Sequence, residues 1–129
     1  MKKQGFGSAS APLTPALKVG RTIFVSGQVP KRPDGTLVEG GVTAQTEQVL
    51  DNIEALLAEA GATMSDVVKT LVILPDVKRD FAAMNEVYAR RFPDPKPART
   101  TMGAELAIDI AVEIEAMAIV EEHDTAGHG

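Results

Sequence analysis

The sequence predicts an α+β domain, a β-sheet with two helices packed on one face. Three observations predict it. Apolar residues recur at helical spacing in one stretch over residues 44–60 and in another after Asp76. Short runs rich in β-branched residues precede, separate and follow these stretches. Turn and stop signals divide the runs: Gly20-Arg21, Pro33-Asp34-Gly35, Gly40-Gly41, Gly61 and the series Pro93, Pro95, Pro97.

The elements follow in order. Residues 1–10 read as an irregular lead-in, and the Gly, Ser, Ala and Pro character continues to Pro15. Residues 16–20 and 21–28 read as a hairpin whose second strand is Thr22-Ile23-Phe24-Val25-Ser26-Gly27. Thr43 is the expected N-cap of the first helix. Its stripe is Val49, Leu50, Ile53, Leu56, Leu57 and Ala60, and Gly61 stops it. The nearly continuous apolar run Val67 to Leu74 is short and β-branched, as in a central strand. Asp76 caps the second helix, whose stripe is Phe81, Met84, Val87 and Tyr88. Arg90 and Arg91 complement the C-terminal end of its dipole, and the prolines that follow prevent continuation. Residues 99–106 and 111–120 read as the last two strands.

In the final strand Val112, Ile114, Ala116, Ala118 and Val120 share one face, and Glu113, Glu115, Met117 and Ile119 the other. Strands apolar on both sides are normally covered on both sides. Two helices cover one face only, so a second copy of the chain is expected to cover the other.

Composition narrows the function. A chain of 129 residues with 44% hydrophobic residues forms one domain with a core, aliphatic because aromatics are 4% and Trp is absent. The net charge of −5 and the lack of a basic stripe argue against nucleic acid as a partner. Without Cys there is no disulfide, thiolate metal site or thiol nucleophile. No metal is expected, since His123 and His128 lie in a polar tail over residues 121–129. No secretory signal follows Met1-Lys2-Lys3, and no apolar run reaches the roughly 20 residues of a membrane span. A cytoplasmic location is expected.

The pair Arg99 and Glu113 bounds the apolar C-terminal stretch. A guanidinium fork fits a carboxylate bidentately, and a nearby carboxylate can hold water or move a proton. Such a pair suits a small anionic substrate without a cofactor. Read alone, Arg99 is a surface or paired arginine and Glu113 a solvated strand residue.

Several segments in register carry a resemblance: Phe24-Val25-Ser26-Gly27-Gln28, Val49-Leu50-Asp51-Asn52-Ile53, Asp66-Val67-Val68-Lys69, Phe81 through Asn85 with Tyr88, Pro97-Ala98-Arg99, and Val112-Glu113-Ile114-Glu115-Ala116. Over roughly residues 11–120 the chain resembles the Rid family, the reactive intermediate deaminases also called YjgF proteins. The resemblance implies a chorismate-mutase-like mixed sheet, a homotrimer with sites between subunits, and no cofactor. It implies hydrolysis of 2-imino or 2-enamino acids to 2-oxo acids and ammonia. Arg99 matches the family arginine that clamps the substrate carboxylate, and Glu113 the glutamate that positions the attacking water. Ser26 and Gly27 match the pocket-lining loop, and Asn85 matches a pocket-side asparagine. Thr101 stands where many members have Cys, and Leu13 where many have Tyr. The Ala11-Pro12-Leu13 variant is similar to aminoacrylate deaminases, so a catabolic aminoacrylate or 2-aminomuconate deaminase is an alternative, as is a noncatalytic small-carboxylate-binding module. The acidic balance speaks against an endoribonuclease, an activity name attached to the family.

Overall fold

The computed structural model describes residues 2–121, so the tail over residues 122–129, with His123 and His128, lies outside the described residues. The chain forms β1 (Lys3–Phe6), β2 (Ala16–Val19), β3 (Thr22–Gln28), α1 (Val42–Glu59), β4 (Val67–Ile73), α2 (Val77–Arg91), β5 (Ala98–Met102) and β6 (Glu113–Ile119). The six strands make one sheet in the order β1-β2-β3-β6-β4-β5. Every pairing is antiparallel except β4 with β5, which α2 connects. This is the expected α+β mixed sheet with both helices on one face.

The core lies between the sheet and the helices. Val49, Leu50, Ile53 and Leu57 of α1 and Met84 and Val87 of α2 are fully buried. They meet Ile23 of β3, Val72 of β4, and Ile114 and Ala118 of β6, also fully buried. Period-two alternation on β6 and helical periodicity on α1 therefore report the same apolar layer from its two sides.

Four expectations are corrected. The lead-in is not wholly irregular, because Lys3–Phe6 pairs along β2 from Lys3↔Val19 to Phe6↔Ala16. Its residues are exposed apart from a half-buried Phe6, so the strand is held by backbone pairing and leaves no burial pattern in the sequence. Thr43 does not cap α1. The N-cap is Gly41, without a side-chain hydrogen bond, and Gly40 and Gly41 carry φ of 106° and 91°. That left-handed approach, natural to glycine, starts the helix one residue before Thr43. The strand expected over residues 99–106 runs over Ala98–Met102 and ends where its partner β4 ends, at the Ile73↔Met102 pair, after which Leu74 N donates to Met102 O at 3.0 Å. Phe81 leaves the apolar stripe of α2 and is 43% exposed at the sheet margin.

The other end signals hold. Gly61, at φ 87°, closes α1 with Gly61 N donating to Ala58 O (3.1 Å) and Ala62 N to Leu57 O (2.8 Å). Asp76 caps α2 by accepting from Arg79 N at 3.3 Å. Arg91 reaches back to α1, at 2.7 Å from both Glu47 Oε1 and Asp51 Oδ1.

The helix-free face exposes Phe24 (47%), Met102 (44%) and Ile119 (42%), and Phe24 pairs with Met117 across β3 and β6. Among the described residues no helix is long and apolar enough to cross a membrane.

Candidate functional site

Strand register separates the two charged candidates. Arg99 pairs with Thr70, and Thr70 pairs with Ala116, so Arg99 shares the helix-covered face with these buried residues. Glu113 pairs with Ile73, which pairs with Met102, and so belongs to the helix-free face. Directly paired residues point to the same side of a sheet, so Arg99 and Glu113 of one chain project from opposite faces, with β4 between their strands.

Arg99 opens into a cavity of about 340 Å³ lined with Asn85, Tyr88, Lys96 and Pro97. Its guanidinium carbon lies 4.7 Å from the Tyr88 ring centroid and 5.7 Å from that of Phe81. Two aromatic rings thus hold the cation in place, and among the described residues no carboxylate pairs with it. Tyr88 is itself fixed, with its hydroxyl 2.6 Å from Thr70 Oγ1. Burial pushes the Tyr88 phenol up, while the Thr70 hydrogen bond and the Arg99 charge act the other way. Asn85 lines the cavity, and its Oδ1 is buried with no hydrogen-bond partner among the described residues. Lys96 lines the cavity, but its ammonium donates to Ala89 O and Phe92 O at the end of α2. Thr101 is half-buried two residues beyond Arg99 on the same face of β5.

Glu113 opens into a different cavity of about 640 Å³, shared with Leu13, Gly27, Lys31, Arg32 and Asn52. Its carboxyl lies against the backbone of Gly27, with Cδ 2.9 Å from where a Gly27 Cβ would stand. Burial raises its pKa above the usual glutamate value, and the neighbouring Glu115 charge adds to the shift. A half-buried carboxylate with raised proton affinity suits proton transfer to and from water. Ser26 acts on the wall of this cavity. Its hydroxyl donates to Thr14 O at 2.7 Å and its N–H to Pro15 O at 2.8 Å, which fixes the segment carrying Leu13. Leu13, 52% exposed, gives the cavity an apolar side.

The structure therefore brings Leu13, Gly27 and Glu113 together, with Ser26 behind them, and separately groups Asn85 with Arg99 and, further along the strand, Thr101. Sequence reasoning missed Tyr88 as the support of Arg99, since Tyr88 reads as one more member of a helical stripe. The signal present is that it is the only Tyr in the chain. Lys31, Arg32 and Asn52 were also missed. Among the described residues no group of three or more His, Asp or Glu side chains converges as a metal site.

Sheet order, helix placement and this split constellation define a small α+β protein with candidate site residues on both faces of one sheet. The family model described as endoribonuclease L-PSP matches residues 6–120, and the chain belongs to this family, the Rid or YjgF family. It is 47% identical over 112 residues to a RutC family protein of Pyrococcus abyssi, covering 85% of this chain and 87% of that one. It is 42% identical over 113 residues to Reactive Intermediate Deaminase A, chloroplastic, of Arabidopsis thaliana, covering 86% of this chain and 60% of that one. The crystal structure of RidA from Psychrobacter sp. PAMC 21119 superposes with a TM-score of 0.83 at 39% identity, covering 88% of this chain and 92% of that one.

Proposed function

We propose that the protein is a deaminase that hydrolyses reactive 2-imino and 2-enamino acids to 2-oxo acids and ammonia, in sites shared between copies of the chain in a homotrimer. The observation that carries the reading is the opposite-face placement of Arg99 and Glu113. Each chain then offers half a site twice over, a carboxylate clamp on one face and a water-handling carboxylate on the other. A neighbouring copy that covers the apolar helix-free face brings its own Arg99 towards Glu113.

The chemistry asks little more. Arg99, held on its two rings, binds the substrate carboxylate through the guanidinium fork. Glu113 accepts a proton from a water as that water's oxygen bonds to C2 of the protonated imine, giving a carbinolamine. It then returns the proton to nitrogen; as the C–N bond breaks and the C=O bond forms, Glu113 takes the hydroxyl proton and passes it to the departing ammonia, and the 2-oxo acid and ammonium leave. One water is consumed for each ammonia released. Asn85, which lines the Arg99 cavity and whose buried Oδ1 has no partner among the described residues, is the candidate acceptor for a substrate N–H. The name of the Arabidopsis relative supports the same reaction class.

A coupled assay tests the reading. A dehydratase generates 2-aminoacrylate or 2-aminocrotonate, and ammonia release is followed with and without the protein. Wild type accelerates release and Arg99→Ala loses the acceleration. Equal rates with and without wild type would overturn the proposal.

A further inference from the structure

The cavity that holds Glu113 contains two cations that the proposed hydrolysis does not use. Lys31 and Arg32 both line it. Neither pairs with Glu113, which forms no ion pair among the described residues. Among the described residues neither forms an ion pair. Arg32 donates through Nη1 to two neutral acceptors, Thr36 Oγ1 at 3.2 Å and Leu37 O at 3.3 Å, and acts on Asp34 only as a minor longer-range charge.

The backbone that carries them is pinned. Lys31 bridges Leu37, Arg32 N donates to Thr36 O at 2.8 Å, and Gly35 N donates to Arg32 O at 2.8 Å. From α1, Asn52 Nδ2 donates to Val29 O at 3.0 Å and to Lys31 O at 2.9 Å. Gln48 Nε2 in turn holds Asn52 Oδ1 at 2.9 Å. Two adjacent cations without carboxylate partners are thus fixed to the helix scaffold at the rim of the cavity that holds Glu113. Its volume of about 640 Å³ falls in the roughly 300–1,000 Å³ range of sites that enclose ligands well above four carbons.

We propose that Lys31 and Arg32 form a distal anion subsite, so that the preferred substrates are 2-imino or 2-enamino acids with a second carboxylate on the side chain. The inference rests on the hydrolase reading. The C1 carboxylate meets Arg99 of the neighbouring copy, C2 lies at Glu113, and the distal carboxylate takes charge-assisted hydrogen bonds from Lys31 and Arg32. A monoacid leaves those two cations to water.

Calorimetric titration of the full chain with 2-oxoglutarate and with 2-oxobutanoate, the products of a diacid and a monoacid, tests the subsite without turnover. At low salt 2-oxoglutarate binds about tenfold tighter or more, and Lys31→Ala/Arg32→Ala closes the gap. Lys31→Glu, at an exposed side chain that makes no hydrogen bond among the described residues, reverses the preference. Equal affinities in wild type, or a gap that survives the double variant, overturn the subsite. In the rate assay, with 2-iminoglutarate and 2-iminobutanoate generated in situ, the diacid-to-monoacid ratio of kcat/KM falls about tenfold in the double variant. Hydrolysis of the monoacid with no diacid advantage overturns the subsite and leaves the hydrolase reading standing. Cation-dependent 2-oxoglutarate binding with hydrolysis of neither imine supports the subsite and overturns the hydrolase reading.

Discussion

The Glu113 carboxyl fills the space that a side chain at Gly27 would need: its Cδ lies 2.9 Å from the Gly27 Cβ position and its Oε2 closer still. Gly27 is not among the positive-φ glycines, so the requirement is for space and not for an unusual backbone. The obstructing atoms are the far end of a flexible side chain, which can swing away. Gly27→Ala is therefore expected to cost little stability, about 1 kcal/mol or less, while moving the carboxylate from its working position. Imine hydrolysis falls at least about tenfold, since small misplacements of reacting groups are costly. A thermal melt beside the coupled ammonia assay checks this, and full activity in Gly27→Ala would show that the position of Glu113 is not critical.

The raised pKa of Glu113 fixes the direction of two pH effects. Burial, then Glu115, disfavours its charged form in the folded chain. Its contribution to stability is fully present below the ordinary glutamate range and is lost as pH rises through the raised folded value. Glu113→Gln is thus more stable than wild type near neutrality, and the difference shrinks towards pH 4. Melting temperatures of both proteins across that range test it, and a constant difference would contradict it. The same shift places the acid limb of activity above the pH at which an ordinary glutamate protonates, and Glu115→Gln moves that limb down.

The opposite-face placement of Arg99 and Glu113 predicts complementation. Arg99→Ala and Glu113→Ala are each inactive alone. Unfolded and refolded together in equal amounts, they recover about a quarter of wild-type activity if the proposed homotrimer shares its sites between chains, because each site then draws its Arg99 and its Glu113 independently from the two pools. A refolded mixture without activity would mean that both residues act from one chain.

Tyr88 has two separable tasks. Its ring supports the Arg99 guanidinium, and its hydroxyl meets Thr70, which is 1% exposed. Tyr88→Phe keeps the ring but strands the Thr70 hydroxyl, a cost of about 1–2 kcal/mol in urea unfolding with KM nearly unchanged. Tyr88→Leu removes both supports and raises KM as well. A KM that is the same in the two variants would separate Arg99 from the ring.

Arg91 ties α2 to α1 through Glu47, Asp51 and Glu54. Its hydrogen bond is the largest cause of the lowered Glu47 pKa, so this stabilisation is present above the ordinary glutamate range and lost as pH falls through the lowered value. Arg91→Met is expected to cost about 1 kcal/mol in low salt, less in high salt, and to flatten the acid side of the stability profile. A loss independent of salt would point to packing of the arginine stem instead.

The sequence by itself determined the elements whose signals are local. Val49 to Leu57 declared α1 by spacing, Asp76 and Gly61 marked helix ends through their own backbone chemistry, and alternation along Val112 to Val120 assigned the faces of β6. Glu113 on the outward face was legible for the same reason. What the tertiary structure decided depends on groups far apart in the chain. Lys3–Phe6 is a strand only because β2 offers its edge, and Phe81 leaves the core because the sheet ends beneath it. Arg99 and Glu113, read together as one site, are parted by the pairing of β5 and β6 to the two sides of β4. Side-chain direction along a strand is a local property, but which strands neighbour one another is set by the packing of the whole layer, and that packing placed the two residues on opposite faces.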